Sequence, residues 1–162
     1  MEELRAGLVE LLPRLRRFAR VLARNAHDAD DLVQTAVERA LAHAGQLRAD
    51  APLAGWMFGI LRNAWIDEQR ARGRRGRLFA AEESGEQVAD PLHGAPLEAL
   101  AVQDGVARLP EEQRLAVALV LVEGLSYKEA AHIMEVPIGT LTSRLARARE
   151  ALQALLDERD GA

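Results

Sequence analysis

Four side chains near the C-terminal end of the sequence have the chemistry of nucleic-acid recognition. They are the hydroxyl and guanidinium donors Thr140, Ser143, Arg144 and Arg147. An arginine fork can hold a guanine edge or a phosphate through two hydrogen bonds, and hydroxyl groups suit phosphates near a helix N-terminus. At 100° per residue, these side chains point away from the apolar stripe of Leu141 and Leu145. The pattern predicts a DNA-contacting face, and a plain solvated helix face is the alternative.

A second set of donors lies in the first half of the chain. Asn63, Asp67 and Arg70 recur at spacings of 4 and 3, which places them in a narrow arc beside an apolar helix face. Such a strip can offer Asn and Arg to bases or backbone while Asp67 orients a neighbouring arginine. The spacing taken alone favours the alternative, an intrahelical network that stabilises a helix by roughly a few tenths of a kcal/mol.

Other kinds of chemistry lack the residues that they need. The chain has no cysteine, which excludes disulfides, zinc-thiolate sites and a cysteine nucleophile. Its four histidines are scattered, and none has a second histidine four residues away, the spacing of a helical zinc site. The sequence contains no Gly-rich phosphate loop, no G-x-S-x-G elbow and no carboxylate pair that acid-base catalysis would require. We therefore expect no enzyme, no metal site and no cofactor.

Three aromatic residues could stack on unpaired bases. Trp56 shares the apolar stripe of its helix, so we expect it in the core. Phe58 and Trp65 fall nearer the edge of that stripe and are the open candidates for stacking.

The composition favours an all-α fold. The 30 alanines and 25 leucines outnumber the 18 Val, Ile and Thr residues together. The net charge of −4 is uneven, with a balance of +3 over residues 1–75, −6 over 76–112 and −1 over 113–162. The longest apolar run, residues 115–122, is too short to cross a bilayer, and the N-terminus does not resemble a signal peptide. We expect a cytoplasmic protein without membrane insertion.

The spacing of apolar residues predicts three helices in the first half of the chain. One stripe runs from Leu4 to Leu22, and Pro13 is expected to divide it into a short helix and a new start. Asp28 is the predicted N-cap of the next helix, which ends near His43. Pro52 opens a third helix that continues into a basic stretch after Arg70.

The second half begins with a segment rich in glycine and acidic residues, which predicts a flexible linker over 76–95. Pro96 and Pro110 each open a helix. Ser126 and Glu129 form an S-x-x-E capping box, which predicts a helix over 127–134, a three-residue turn and a long last helix. This is a helix-turn-helix pattern. The predicted domains are therefore 1–75 and 96–162, joined by the acidic linker.

Four ordered motifs resemble the extracytoplasmic-function group of bacterial sigma factors. They are Asp28–Gln34, Gly55–Asn63 followed by Asp67 and Arg70, Leu109–Arg114, and Gly139–Arg149. The resemblance covers nearly the whole chain except the linker. It implies sigma domain two before the linker and sigma domain four after it.

The resemblance also implies partners and roles. A factor of this group binds core RNA polymerase through the clamp helices of the β′ subunit and directs it to promoter DNA, and an anti-sigma factor is an expected further partner. The residues that match the polymerase-binding motif are Asp31, Leu32, Gln34 and Arg39. Those that match the motif for the minus 10 element are Asn63, Asp67 and Arg70. Those that match the motif for the minus 35 element are Thr140, Ser143, Arg144 and Arg147.

Two positions depart from the family pattern. Val37 stands where an aromatic residue is common, and Glu135 occupies a turn position where Gly or Asn is common and a positive φ is expected. Two alternatives remain open: a sigma mimic that sequesters an anti-sigma factor, and a stand-alone helix-turn-helix regulator. We also expect no additional sensory domain.

The acidic linker suggests a further expectation for the free protein. Glu82, Glu83, Glu86 and Asp90 could compete with DNA for the basic faces of the two domains. We expect weak promoter binding by the free chain, and tighter binding when these four residues are neutralised.

Overall fold

The computed structural model describes residues 1–78 and 104–160, and these ranges contain helices and no strand. The all-α prediction is confirmed. The chain forms two compact units, Met1–Ala89 and Asp90–Ala162. Among the described residues, no helix is both long and apolar enough to cross a membrane. Most of the predicted linker, its four acidic residues and the start of the helix predicted at Pro96 lie outside the described residues.

Unit 1 is a three-helix arrangement. Helix α1 spans Glu2–Ala23, α2 spans Ala26–Ala42 and α3 spans Leu53–Leu78, with a short 3-10 turn at Ala44–Gln46. Each helix packs on the other two. Phe18 of α1 and Phe58 of α3 are fully buried and meet edge to face, with ring centroids 5.1 Å apart. Large side chains from α1 and α3 thus fill the core between the helices.

Helix α1 is continuous through Pro13, contrary to the predicted division. A proline inside a helix costs about 3 kcal/mol because one hydrogen bond is lost and the ring clashes with the preceding turn. On either side of it, Leu8, Leu15, Phe18 and Leu22 are at most 4% exposed. Burial of each such side chain contributes roughly 1.5–3 kcal/mol. Burial of the shared stripe therefore outweighs the proline penalty.

Helix α2 begins earlier than predicted, with Asn25 rather than Asp28 as its N-cap. The Asn25 side chain accepts a hydrogen bond from the Asp28 backbone N–H at 2.8 Å, and its amide donates to the Asp28 carboxylate at 2.9 Å. Arg72 of α3 reaches the same carboxylate at 2.9 Å. The hydrogen bond from Asn25, followed by the contact with Arg72, holds the pKa of Asp28 below its ordinary value.

The buried face of α3 also differs from the predicted one. Phe58 and Trp65 are 0% and 4% exposed, whereas Trp56 is only half-buried. The interpretation of Phe58 and Trp65 as stacking candidates is therefore wrong. Both α1 and α2 pack on α3, and the covered face includes Leu61 and Ala64 together with these two aromatic residues. Helix α3 also continues to Leu78, three residues past the predicted end of the first domain.

Unit 2 contains a helical segment over 104–108 followed by three helices. Helix α4 spans Glu111–Val117 and continues as a π-helical turn over Ala118–Val122, α5 spans Tyr127–Met134 and α6 spans Ile138–Asp160. The single helix predicted after Pro110 thus changes from α-helical to π-helical hydrogen bonding at Ala118. In the π-helical turn, the Glu123 N–H donates to the Ala118 carbonyl five residues back, at 2.9 Å. Gly124, at φ 75°, lies just after it.

The capping box of α5 forms as predicted. The Glu129 N–H donates to Ser126 Oγ at 3.1 Å, and the Ser126 N–H donates to Glu129 Oε1 at 3.2 Å. Helix α5 ends at Met134, and its C-cap residue, Glu135, has a left-handed φ of 57°. The positive φ expected at this turn is therefore present in a non-glycine residue. The two helices α5 and α6 pack on each other as a helix-turn-helix.

The contacts of Asp28 with Asn25 and Arg72 predict that the unfolding free energy of unit 1 falls in acid. Because the folded pKa of Asp28 is lowered, its contribution is present above the ordinary carboxyl pKa of 3.8 and is lost as the pH falls through the folded value. We expect Asp28→Asn to lower the unfolding free energy at pH 7 by about 1 kcal/mol, and the difference from wild type to shrink below about pH 4. Both tryptophans, Trp56 and Trp65, lie in unit 1, so their fluorescence reports its denaturation by urea. Asp30→Asn is the matched control, and an equal loss in that variant would contradict the assignment.

Candidate functional site

The orientation of α6 is set by its buried stripe. Leu141, Leu145 and Ala148 are at most 1% exposed. Ser143 and Arg147 are exposed on the other side of the helix, as predicted. The second helix of the helix-turn-helix therefore presents a hydroxyl and a guanidinium group about one turn apart on its outer surface.

Arg144 departs from the predicted outward direction. Its side chain is 20% exposed, and its Nη2 lies 3.6 Å from Glu112 Oε2 on α4. At 100° per residue, Arg144 lies only about 60° from Leu141 and about 40° from Ala148 around the helix axis, so it borders the buried stripe and its long side chain reaches across to α4. Thr140, in the first turn, is half-buried. The four predicted donors are thus divided, with two on the outer surface and two beside the core of unit 2.

Four of the seven predicted polymerase-binding and minus 10 residues of unit 1 line one cleft. This cleft, of about 220 Å³, lies between α2 and α3. Asp31, Leu32 and Arg39 line it from α2, and Asp67 lines it from α3. Arg39 Nη1 donates to Asp67 Oδ2 at 2.9 Å, with the two side chains 38% and 53% exposed. An ion pair therefore connects a residue predicted to bind polymerase with one predicted to bind DNA.

The predicted polymerase-binding residues of α2 differ in their exposure to solvent and in the groups that they contact. Asp31 is exposed, and its Oδ2 lies 3.5 Å from His27 Nε2. Gln34 is exposed and donates to Glu38 at 3.2 Å. Leu32 is only 6% exposed. Leu32 is therefore a core residue that borders the cleft, and its contact with polymerase stays a prediction.

In the described part of unit 1, the three α3 candidates do not form a hydrogen-bond network with one another. Asn63 and Arg70 are exposed. Asp67 accepts its hydrogen bond from Arg39 of α2, 28 positions away in the sequence. The arginine that Asp67 orients is thus on a neighbouring helix.

Sequence reasoning missed two residues of these surfaces. Arg72 binds Asp28 across the helices and Glu68 one turn back on α3, at 2.9 and 3.0 Å. The i,i+4 spacing of Glu68 and Arg72 was the available signal for one of these pairs. Glu112, the partner of Arg144, belongs to the Leu109–Arg114 motif, but no spacing rule connects it with α6.

Two helical units, the second ending in a capped helix-turn-helix with exposed donors on its second helix, place the chain in the class of helix-turn-helix proteins, whose second helix is suited to DNA. Residues 99–152 match the family described as sigma-70, region 4, and residues 8–62 match the sigma2 domain of PhyR. The chain is 37% identical over 155 residues to the ECF RNA polymerase sigma factor EcfG of Rhodopseudomonas palustris, covering 96% of this chain and 86% of the relative. It is 41% identical over 143 residues to the ECF RNA polymerase sigma factor SigM of Mycobacterium tuberculosis, covering 88% and 71%.

A solved structure agrees with these relatives. The sigma factor RpoE of Bartonella quintana, in complex with the anti-sigma factor NepR, has a TM-score of 0.89 and 32% identity over 97% of this chain and 98% of that one. The chain therefore belongs to the extracytoplasmic-function sigma factors of RNA polymerase. Proteins of this family are regulators that direct RNA polymerase to promoters.

The ion pair across the cleft gives a prediction for stability. Because Arg39 and Asp67 are both partly exposed to solvent, their coupling should be weak, about 0–1 kcal/mol. A double-mutant cycle with Arg39→Gln and Asp67→Asn, followed by tryptophan fluorescence in urea, measures it. A coupling above about 2 kcal/mol would show that the pair is shielded from water rather than exposed.

Proposed function

We propose that unit 1 binds core RNA polymerase through the exposed side of α2 and contacts the minus 10 element through α3, while α6 of unit 2 recognises the minus 35 element. The protein acts as an alternative sigma factor in the cytoplasm, where polymerase and promoter DNA are found.

The observation that carries this proposal is the exposed Ser143–Arg147 pair on α6. Arg147 can hold a guanine edge through two hydrogen bonds, and Ser143 can bond a base or a phosphate. Helix α6 follows the capped helix α5 after a short turn, which is the arrangement that inserts the second helix into the major groove. Asn63 and Arg70 supply comparable donors on α3.

Exposed polar side chains on α2 support the proposed polymerase-binding surface. Asp31 and Gln34 are exposed, and Asp31 lines the cleft together with Arg39 and Asp67. An exposed acid beside an exposed amide suits a polar, rim-type contact rather than an apolar one. The shared cleft supports close placement of the polymerase-binding and DNA-binding surfaces.

Run-off transcription tests the function directly. The full chain is mixed with purified core polymerase and genomic DNA fragments, and the transcription start sites are mapped. We expect starts that share two upstream elements and that are absent with core polymerase alone. Absence of specific initiation by the mixture would overturn the proposal.

One observation favours a second candidate, a sigma mimic. Residues 8–62 match the sigma2 domain of PhyR, and a PhyR protein is described as an anti-anti-sigma factor in complex with NepR. We propose an anti-sigma factor as a regulatory partner in either case. The run-off experiment distinguishes the two functions, because a mimic would bind an anti-sigma factor without initiating transcription.

For α6, we expect Arg147→Ala to weaken promoter binding by the holoenzyme by about 1–3 kcal/mol, the value of one bidentate contact with a base. Arg147→Lys is the matched control, because it keeps the charge and loses the planar fork. It should retain the salt dependence of binding while losing discrimination at one base pair. Fluorescence anisotropy at fixed salt measures both, and wild-type affinity in Arg147→Ala would exclude this face from DNA contact.

For α2, we expect Asp31→Arg to abolish binding to core polymerase, because the change reverses a charge at the proposed contact surface. Asp30→Arg makes the same charge change at the neighbouring exposed position and should bind core far better. Titration of labelled protein with core polymerase gives both affinities, and circular dichroism checks that helical content is kept. Equal affinities for the two variants would show that Asp31 lies outside the interface.

A further inference from the structure

The outer surface of α6 carries two rows of side chains that run side by side. Residues four apart on a helix lie about 40° apart around its axis and form such rows. One row is polar and contains Ser143 and Arg147. The other presents methyl groups and consists of Ile138, Thr142 and Ala146, all three exposed. None of these three residues has a place in the function proposed so far.

Ile138 is the first residue of α6 and is 49% exposed. Burial of such a side chain would be favourable, and within the described part of unit 2 it remains half uncovered. Next to it, Gly139 has open space where a side chain would begin, with no heavy atom within 4 Å. The first turn of α6 is therefore both apolar and unobstructed, which permits close approach to another molecule.

Thr142 presents its methyl group rather than a free donor. Its Oγ1 donates to the Ile138 carbonyl at 2.9 Å, one turn back on the same helix. A hydroxyl group has one proton, so this bond uses the only donor of the side chain. What Thr142 adds to the row, beyond an acceptor oxygen, is the γ-methyl group.

In the major groove, the apolar group on a base edge is the C5-methyl group of thymine. The N-terminal residues of a recognition helix are those that contact base edges. We propose that Ile138 and Thr142, with Ala146 extending the row, select thymine in the minus 35 element by packing on its C5-methyl group. This inference rests on the proposed recognition of that element by α6.

The spacing of the row limits where these thymines lie. Residues four apart are about 6 Å apart along the helix axis, close to two base-pair steps of about 3.4 Å. The selected thymines therefore lie within about two base pairs of each other. They neighbour the base pair that Arg147 contacts, because the two rows are adjacent on α6.

Replacement of thymine by deoxyuridine tests this inference, because it removes only the C5-methyl group. Holoenzyme made from the full chain and core polymerase is titrated with a promoter obtained by start-site mapping, with each minus 35 thymine replaced in turn. We expect about a three- to fivefold loss of affinity at one or two positions, the effect of one buried methyl group. In Ile138→Ala or Thr142→Ser, the loss at the matching position should disappear.

Two Thr142 variants separate the methyl group from the hydroxyl group. Thr142→Ser keeps the hydroxyl that bonds the Ile138 carbonyl and removes the methyl, whereas Thr142→Val keeps a methyl and removes the hydroxyl. We expect the valine variant to distinguish thymine from deoxyuridine as the wild type does, and the serine variant to lose this distinction. The reverse order would overturn the inference.

Other outcomes distinguish this inference from the function on which it rests. Equal binding of thymine and deoxyuridine at every position, with Arg147→Lys still altering base preference, would overturn the thymine contact and leave the proposed function intact. A minus 35 element without thymine would do the same. If neither base changes nor Arg147 variants affected binding, recognition by α6 itself would fail.

Discussion

The rotation of α6 about its own axis is the constraint on which the proposed DNA-binding surface depends. Leu141, Leu145 and Ala148 are buried almost completely, and a rotation that exposed them would lose several kcal/mol of apolar burial. The same rotation places Ser143 and Arg147 on the outside. The packing of unit 2 thus orients donors that have no packing role of their own.

In unit 1, polar contacts between α2 and α3 perform a comparable positioning. Arg39 and Asp67 meet at one place along the two helices, and Arg72 and Asp28 meet at another. Because the side chains of both contacts are partly exposed to solvent, the contacts add little to stability, and the buried apolar side chains of α2 and α3 hold the two helices together. The two polar contacts position the side chains that border the cleft.

The parts of this architecture that depend on local spacing could be predicted from the sequence. The capping box of α5, the turn at Glu135 and the outward position of Arg147 follow from residues within one or two helical turns of each other. Two local rules failed because tertiary packing outweighed them. Pro13 does not divide α1, because the buried stripe on both sides stabilises the continuous helix, and Phe58 faces the core because both neighbouring helices cover α3.

Contacts between distant residues lay outside the reach of sequence reasoning. Nothing in the spacing connects Arg39 with Asp67 or Arg144 with Glu112, since such pairs exist only once helices have packed. The direction of Arg144 illustrates the difficulty. A helical projection locates the Cβ atom, but a long side chain near the edge of a buried stripe can turn toward a charge on the next helix.

The exposure of these ion pairs bears on how a factor of this kind can change partners. Arg114 is 4% exposed, and its Nη1 donates to the Leu109 carbonyl at 3.0 Å, so it is a fixed part of unit 2. Arg39 and Asp67 differ, because a pair that is more than a third exposed contributes only about 0–1 kcal/mol. A single contact with a base or a buried charge can exceed that amount. The pair therefore positions both side chains in the free protein, and under the proposed function either one can exchange its partner for polymerase or DNA with a loss of only about 0–1 kcal/mol.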